Sequence, residues 1–442
     1  MQTKMKKQQE HPTISQHESA VRSYCRAFPA TFVHAKGSIV TDDKGSTYLD
    51  MFAGAGALNY GHNPEPLKSR LVDYLAGDGI THALDMTTGA KVALLEGIDR
   101  IILQPRKLNY KVMFPGPTGT NAVEAALKIA RKATGRSGVV AFTNGFHGMT
   151  LGALSVTGNA GKRAGAGIPL NHVTRLPFEN YQDVSSGLVV FEQMLQDFSS
   201  GLDKPAAVIV ETIQAEGGVR VASRAWLRRL REITKEHDIL LIVDDIQVGC
   251  GRTGDFFSFE RAGIRPDIVC LSKSLSGYGL PFALVLLDPA VDVFEPGEHN
   301  GTFRGFNPAF VTALAALETY WRDDELSAHV ARRARMMQTS LDAMATTYGG
   351  VRRGRGMIQG IEFDDPHMAA AISKTAYQHG VIVETAGAQD EVLKLLPPLT
   401  TPDAQLRDAL DRIDEAARVV CNGGTSTRRG PRTRSNGVEV TL

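Results

Sequence analysis

A chain of 442 residues with 43% apolar and 22% charged side chains suits two or three globular folding units. Its formal net charge of +1 gives no field that would gather nucleic acid or anionic lipid. Cys25, Cys250, Cys270 and Cys421 lack zinc or disulfide spacing, no stretch has the apolarity of a membrane span, and the polar start has no secretory h-region, so a reducing cytoplasm is expected.

Residues 1–18 read as disordered, and 19–62 as one part of a small domain. Within that part, "AKGSIVTDDKGSTYLD" (35–50) reads as two short strands around an Asp-Lys-Gly turn, before the Gly-rich "FAGAGALNYGHNP". Residues 63–315 alternate short β-rich runs with helical patterns, which argues for a mainly parallel sheet covered on both faces. The expected strands are Lys111–Phe114, Val139–Phe142, Ala206–Val210, Ile239–Val243, Ile268–Leu271 and Ala283–Leu287. A helix over Asn121–Thr134 carries Val123, Ala126, Leu127 and Ala130 on one face, with Gly135 as its C-terminal stop. Residues 316–421 read as a second α+β part, and 422–442 as an unfolded basic tail.

In open parallel sheets, ligands bind beyond the carboxyl ends of the strands. Five strand exits here carry Gly together with chemistry-bearing residues: "PGPTGT", "TNGFHG", "ETIQAEGG", "DDIQVGCGRTG" and "SKSLSGYG". Gly119 and Thr120 open a helix, which makes either a phosphate site at its N-terminus or a simple Thr cap. Asp244 ends the most apolar strand, where a carboxylate is costly unless it meets a cation, and a protonated pyridine nitrogen would serve. Phe146 offers either a flat face to a ring or an ordinary core aromatic. Lys273 is either a snorkelling amine at a strand end or, kept unprotonated in a dry pocket, a nucleophile toward an aldehyde. Phosphate, pyridinium, ring face and aldehyde together describe pyridoxal 5′-phosphate.

At these residues the sequence resembles the class III (ω-amino-acid) aminotransferases, over about residues 20–421. The resemblance rests on "DDIQVGCGRTG", "TGTNAVEAA" (with Thr118 and Asn121 as departures), "FHG", "ETIQAEGG" and "GTFRGFNP". It implies an α/β fold of the type I pyridoxal-phosphate transferases: a large domain with a mainly parallel seven-stranded sheet, and a smaller α+β domain built from both chain ends. It also implies roles: Lys273 holds the cofactor aldehyde, Asp244 meets the ring nitrogen, Gln247 lies near the ring hydroxyl and Phe146 stacks on the ring. His147 belongs to the same cofactor motif. Gly119 and Thr120 hold the phosphate with Thr302 of a second chain, so a homodimer or larger homo-oligomer with composite sites is implied. No metal is expected.

Within the family, "VRSYCRAFP", "FAGAGALNYGHN", "GEHNGTFRG" and "KLLPPLT" resemble members that pass the amino group of L-glutamate to L-aspartate 4-semialdehyde for ectoine synthesis. Many relatives have an Arg before the "PPL" stretch, paired with a Glu that releases it when glutamate binds. Here the position is Lys394, either a point charge in place of a bidentate fork, with Glu216 as the candidate acid, or an unrelated surface lysine. Tyr24 and Arg26 lie in a segment that relatives fold over the entrance, with a substrate contact or a structural role. Trp226 and Trp321 read as packing residues. The rival readings are another class III activity (ornithine, acetylornithine or 4-aminobutyrate), the same reaction feeding siderophores or peptide antibiotics, a racemase, mutase or decarboxylase on the same fold, and a non-catalytic cofactor binder.

Overall fold

The computed structural model describes residues 11–181, 187–423 and 432–433. The central sheet has seven strands in the order Lys111–Met113, Leu284–Leu287, Ile268–Leu271, Leu240–Asp244, Ala207–Val210, Val139–Phe142 and Val173–Leu176. Leu284–Leu287 runs antiparallel to both neighbours, and the other pairings are parallel. All six expected strands are present, with ends moved by a residue at most. Val173–Leu176 is a seventh that periodicity did not reveal, because Arg175 interrupts its apolar run and the strand is only half-buried.

Alternate strand residues serve two cores, as a sheet covered on both faces requires. Val139, Ala141, Ala207, Ile209, Ile242, Ile268 and Cys270 pack under Ala122, Val123, Ala126 and Leu127 of the helix Gly119–Thr134. Val140, Phe142, Val208, Val210, Leu241 and Val243 face the opposite layer, with Leu227, Leu230 and Ile233 of the helix Arg224–Glu236. Gly135 ends the first helix at φ 67°, the left-handed stop its sequence implies. That helix begins at Gly119, two residues before the expected start. Thr118 and Asn121, the two departures from the family motif, cap each other there: Thr118 Oγ1 donates to Asn121 Oδ1 at 2.7 Å.

The expected hairpin forms from Ile39–Asp42 and Ser46–Asp50, with Phe32–Lys36 added outside. Its inner strand pairs in parallel with Val381–Ile382, so residues from both chain ends share one sheet. A second antiparallel sheet joins Gly350–Arg355, Ile358–Phe363, Val392–Leu395 and Glu384–Ala386. Three expectations about chain segments need comment. The stretch 1–18, read as disordered, contains a short helix at Pro12–His17, while residues 1–10 lie outside the described residues. The division at 315/316 falls inside the helix Asn307–Tyr320, which packs on Glu65–Ala76 and Gly89–Gly97 of the larger part. The basic tail lies outside the described residues, except for 422–423 and for 432–433, which pair with Ser46–Thr47. Among the described residues no helix is long and apolar enough to cross a membrane.

Trp226 packs edge-on against Phe142, ring centroids 5.0 Å apart, and Trp321 donates from Nε1 to Tyr60 Oη at 2.8 Å. Arg252, from "GCGRTG", is wholly buried and spans the two parts of the chain. Its guanidinium donates to the carbonyls of Met357 at 3.0 Å and Pro397 at 2.5 Å, and to Asn59 Oδ1 at 2.5 Å.

Candidate active site

The strand exits converge at the carboxyl end of the sheet. Asp244, the last residue of its strand and buried, accepts a hydrogen bond from Ile246 N at 3.2 Å and shares one of 2.7 Å with His147 Nδ1. Burial lowers the His147 pKa, but the hydrogen bond and charge of Asp244, with Glu211 behind, outweigh it and raise the value. His147 thus braces the acid from behind. Glu211 is desolvated and pushed up in pKa, and it accepts from Phe146 N at 2.9 Å, which fixes the start of "FHG". Lys162 Nζ lies 4.4 Å from the centroid of the Phe146 ring and takes one of its faces, leaving the other for a flat group.

Lys273, separated from the end of its strand by Ser272, is held in the left-handed region at φ 49°, a strained conformation for a lysine of the kind found at functional sites. Its Nζ donates to the carbonyl of Ala55 at 2.8 Å. Ala55 is itself left-handed (φ 55°) within Ala53–Gly56, so the Gly-rich passage folds back to present a carbonyl to the amine. Burial depresses the Lys273 pKa, and Lys394 adds to the effect against the opposing pull of Glu216.

Gln247 donates from Nε2 to Ala55 O at 2.8 Å and to Glu216 Oε1 at 3.2 Å. Its Oε1 is buried without a hydrogen-bond partner in the protein. Glu216 also accepts from Lys394 Nζ at 2.7 Å, the pair expected from the sequence. Desolvation would raise the Glu216 pKa, but Lys394 and Lys273 bring it down to about 2. Lys394 is completely buried and has a second partner, Glu384 Oε1, at 3.0 Å. Both carboxylates raise the Lys394 pKa against the burial that lowers it. Burial, more than Lys394 offsets, moves Glu384 up to about 7.

Sequence reasoning missed Glu384 and Glu211. The signal for Glu384 was available, since an acid directly after the apolar run "VIV" repeats the pattern of Asp244 after "ILLIV". Tyr24 reaches the same cluster, its Oη 3.5 Å from Glu384 Oε2 and its ring 5.0 Å from that of Phe52. Arg26 does not: its guanidinium bonds the carbonyls of Ala20 and Arg22 in its own segment. A cavity of about 510 Å³ opens beside the site, lined by Asn144, Phe146, Lys162, Glu216 and Thr385 among others.

Gly119 and Thr120 stand at the N-terminus of the long helix, and Thr120 Oγ1 lies 2.7 Å from Thr150 Oγ1. A Cβ on Gly148, which sits at φ +132°, would come within 2.5 Å of Thr120 Oγ1, so only glycine leaves that hydroxyl its place. Thr302 is exposed, and its carbonyl contacts His82 Nε2. The arrangement fits pyridoxal 5′-phosphate. The unpartnered Gln247 Oε1 can accept from a ring hydroxyl, Asp244 from a ring N–H, the helix N-terminus can take a phosphate, and the depressed Lys273 amine can take an aldehyde.

The aminotransferase class-III family model matches residues 21–417. Three relatives carry the name diaminobutyrate–2-oxoglutarate transaminase. That of Nocardia farcinica (strain IFM 10152) is 57% identical over 417 residues, covering 94% of this chain and 96% of its own. That of Streptomyces anulatus is 58% identical over 403 residues, covering 91% and 96%. The Vibrio parahaemolyticus protein (serotype O3:K6, strain RIMD 2210633) is 54% identical over 410 residues, covering 92% and 97%. Among solved structures, an ornithine aminotransferase from Toxoplasma gondii superposes with a TM-score of 0.80 at 27% identity, covering 93% of each chain. An S-selective transaminase from Arthrobacter sp. does so with 0.81 at 21% identity over 89% and 94%, a likeness of fold. With its family motifs gathered at one end of the seven-stranded sheet, the chain belongs to the aminotransferase class-III family.

Proposed function

We propose that this enzyme transfers an amino group from L-glutamate to L-aspartate 4-semialdehyde, producing 2-oxoglutarate and L-2,4-diaminobutyrate. The product would feed ectoine synthesis in the cytoplasm. The observation that carries this reading is a depressed amine, Lys273, linked through the Ala55 carbonyl and Gln247 to a buried carboxylate–ammonium pair, Glu216–Lys394. It agrees with the name shared by relatives that match almost end to end.

The cofactor is pyridoxal 5′-phosphate, which supplies the aldehyde that carries nitrogen between substrates and the electron sink for the reacting carbon. In this reading Lys273 Nζ is the amine that holds the aldehyde and, once released, moves a proton at the substrate carbon as base and then acid. Its lowered pKa makes the neutral form accessible. Asp244, backed by His147, keeps a ring nitrogen protonated. Gln247 accepts from the ring hydroxyl and Phe146 covers a ring face, while Gly119 and Thr120 hold the phosphate, joined by Thr302 from a second copy in a homodimer.

Two substrates with different reacting ends pose a sorting problem. Glutamate brings a carboxylate beside its reacting carbon, and Lys394 receives it when Glu216 swings away. The semialdehyde carries no charge at its reacting end, so Glu216 stays on Lys394 and cancels its charge. Tyr24 closes the entrance above this cluster.

The test is an absorbance titration of the yellow enzyme, first with L-glutamate and then with the semialdehyde, with ornithine and 4-aminobutyrate as competitors. The reading requires glutamate to bleach the yellow absorbance with stoichiometric 2-oxoglutarate, and the semialdehyde to restore it. Preferential bleaching by ornithine or 4-aminobutyrate would assign another class III activity.

A further inference from the structure

Lys394 has one more carboxylate than a two-member switch requires. Glu384 is its cross-strand partner, since Glu384 and Lys394 are opposed in the antiparallel pair Glu384–Ala386 and Val392–Leu395. That register fixes their separation through the sheet, and Glu384 Oε1 sits 3.0 Å from Lys394 Nζ. Glu216 reaches Lys394 from the other side, in the turn of a small hairpin, Ile213–Gln214 paired with Arg220–Val221, that follows the strand Ala207–Val210. One carboxylate is therefore opposed to the lysine across a sheet, and the other projects from a hairpin turn beside the cavity.

We infer that Glu384 is a positioning residue that holds Lys394 in place when Glu216 leaves and a substrate carboxylate takes over. This rests on the reading of Lys394 as the receiver of that carboxylate. A guanidinium in this place would be aimed by its own planar fork, whereas an ammonium on a four-carbon stem has no preferred direction and needs an external anchor. An ammonium has three N–H donors, so one can stay on Glu384 while another changes partner.

Glu384 also sets the charge that glutamate meets. The groups facing it are Lys394, Glu216, Lys273 and the Tyr24 hydroxyl. Burial, more than Lys394 offsets, moves the Glu384 pKa up to about 7, so its negative charge grows as pH rises. Its Oε1 lies 3.0 Å from the Lys394 ammonium as an ion-pair partner. Above about pH 7 the added negative charge opposes the incoming carboxylate, so glutamate should bind less well as pH rises.

The experiment compares holoenzyme carrying Glu384→Gln, Glu384→Ala or Lys394→Ala in steady-state kinetics with L-glutamate from about pH 6 to 8.5. Glu384→Gln keeps the acceptor oxygen and cannot ionise. It should match the parent KM at pH 6 and lack the parent's rise above pH 7. Glu384→Ala removes the anchor and should raise the glutamate KM about tenfold at every pH, with a much smaller fall in kcat. If the Gln variant follows the parent's pH profile, or the Ala variant lowers kcat and leaves KM alone, the inference is overturned. Lys394→Ala separates the two levels. Weakened glutamate binding there with none in Glu384→Ala refutes only the anchor, while unchanged binding in Lys394→Ala refutes the Lys394 reading and the anchor with it.

Discussion

Replacing Lys394 with Met removes one buried charge while keeping an unbranched side chain of similar length. Two carboxylates, 2.7 and 3.0 Å from the vacated ammonium, then face each other out of water. The net effect of its neighbours can be sized on Glu216, whose pKa is brought from 4.5 to about 2 against desolvation, by Lys394 first and then by Lys273 and the Gln247 hydrogen bond. At ~1.36 kcal/mol per pH unit the gap is worth about 3 kcal/mol. Some 21% of that side chain meets solvent, so about 2–3 kcal/mol survives screening. In the parent the Glu216 pKa is depressed on folding, so its contribution is complete above 4.5 and is lost only as pH falls toward 2. In the variant only Lys273 and the Gln247 hydrogen bond oppose burial, so the folded pKa rises toward or above the unfolded one, and stability is retained at low pH and lost as pH rises. Urea unfolding followed by circular dichroism should show a deficit of about 2–3 kcal/mol or more at pH 8, shrinking by at least about 2 kcal/mol at pH 5.5. An equal deficit at both values would mean that the loss comes from packing, and would refute the electrostatic account.

Lys273→Ala should lose transamination, and borohydride reduction with peptide mapping should label "LSKSL" in the parent and no peptide in the variant; a label on another peptide or retained activity would place the reactive amine elsewhere. Asp244→Asn should keep cofactor binding but lower kcat about 10²–10⁴-fold, and it should lower the His147 pKa by removing the charge that raises it, which NMR titration of the ring reports. Gly148→Ala forces a Cβ against Thr120 Oγ1 and should weaken cofactor affinity about tenfold or more, read by dialysis against free cofactor. Arg252→Met leaves three buried acceptors unpaired and should lower stability by about 3–5 kcal/mol in urea.

Much of the large sheet was legible because parallel strands buried on both faces read as uninterrupted apolar runs, as in "ILLIV" and "AVIV". The strand Val173–Leu176 lies at the sheet edge, where one polar residue costs little, and so its signal was diluted. Asp244 and Lys273 stood out because a charge at the mouth of an apolar strand demands a partner. The Glu216–Lys394 pair was legible only through the family resemblance, since no local pattern joins residues so far apart in the chain. The Ala55 carbonyl that receives the Lys273 amine leaves no trace in side-chain chemistry, because backbone groups are common to all sequences. Arg26 was placed near the entrance by its neighbourhood, but its own turn offers free carbonyls closer by.

The pairing of Leu49 with Val381 bears on how the enzyme is born. Gly119, Asp244 and Lys273 all precede Val381 in the chain. The passage carrying Ala55 follows directly on the hairpin strand that waits for that late partner. The carbonyl that receives the Lys273 amine thus lies just beyond a strand whose pairing needs residues more than 300 positions further along, and a chain ending before Val381 would lack that pairing.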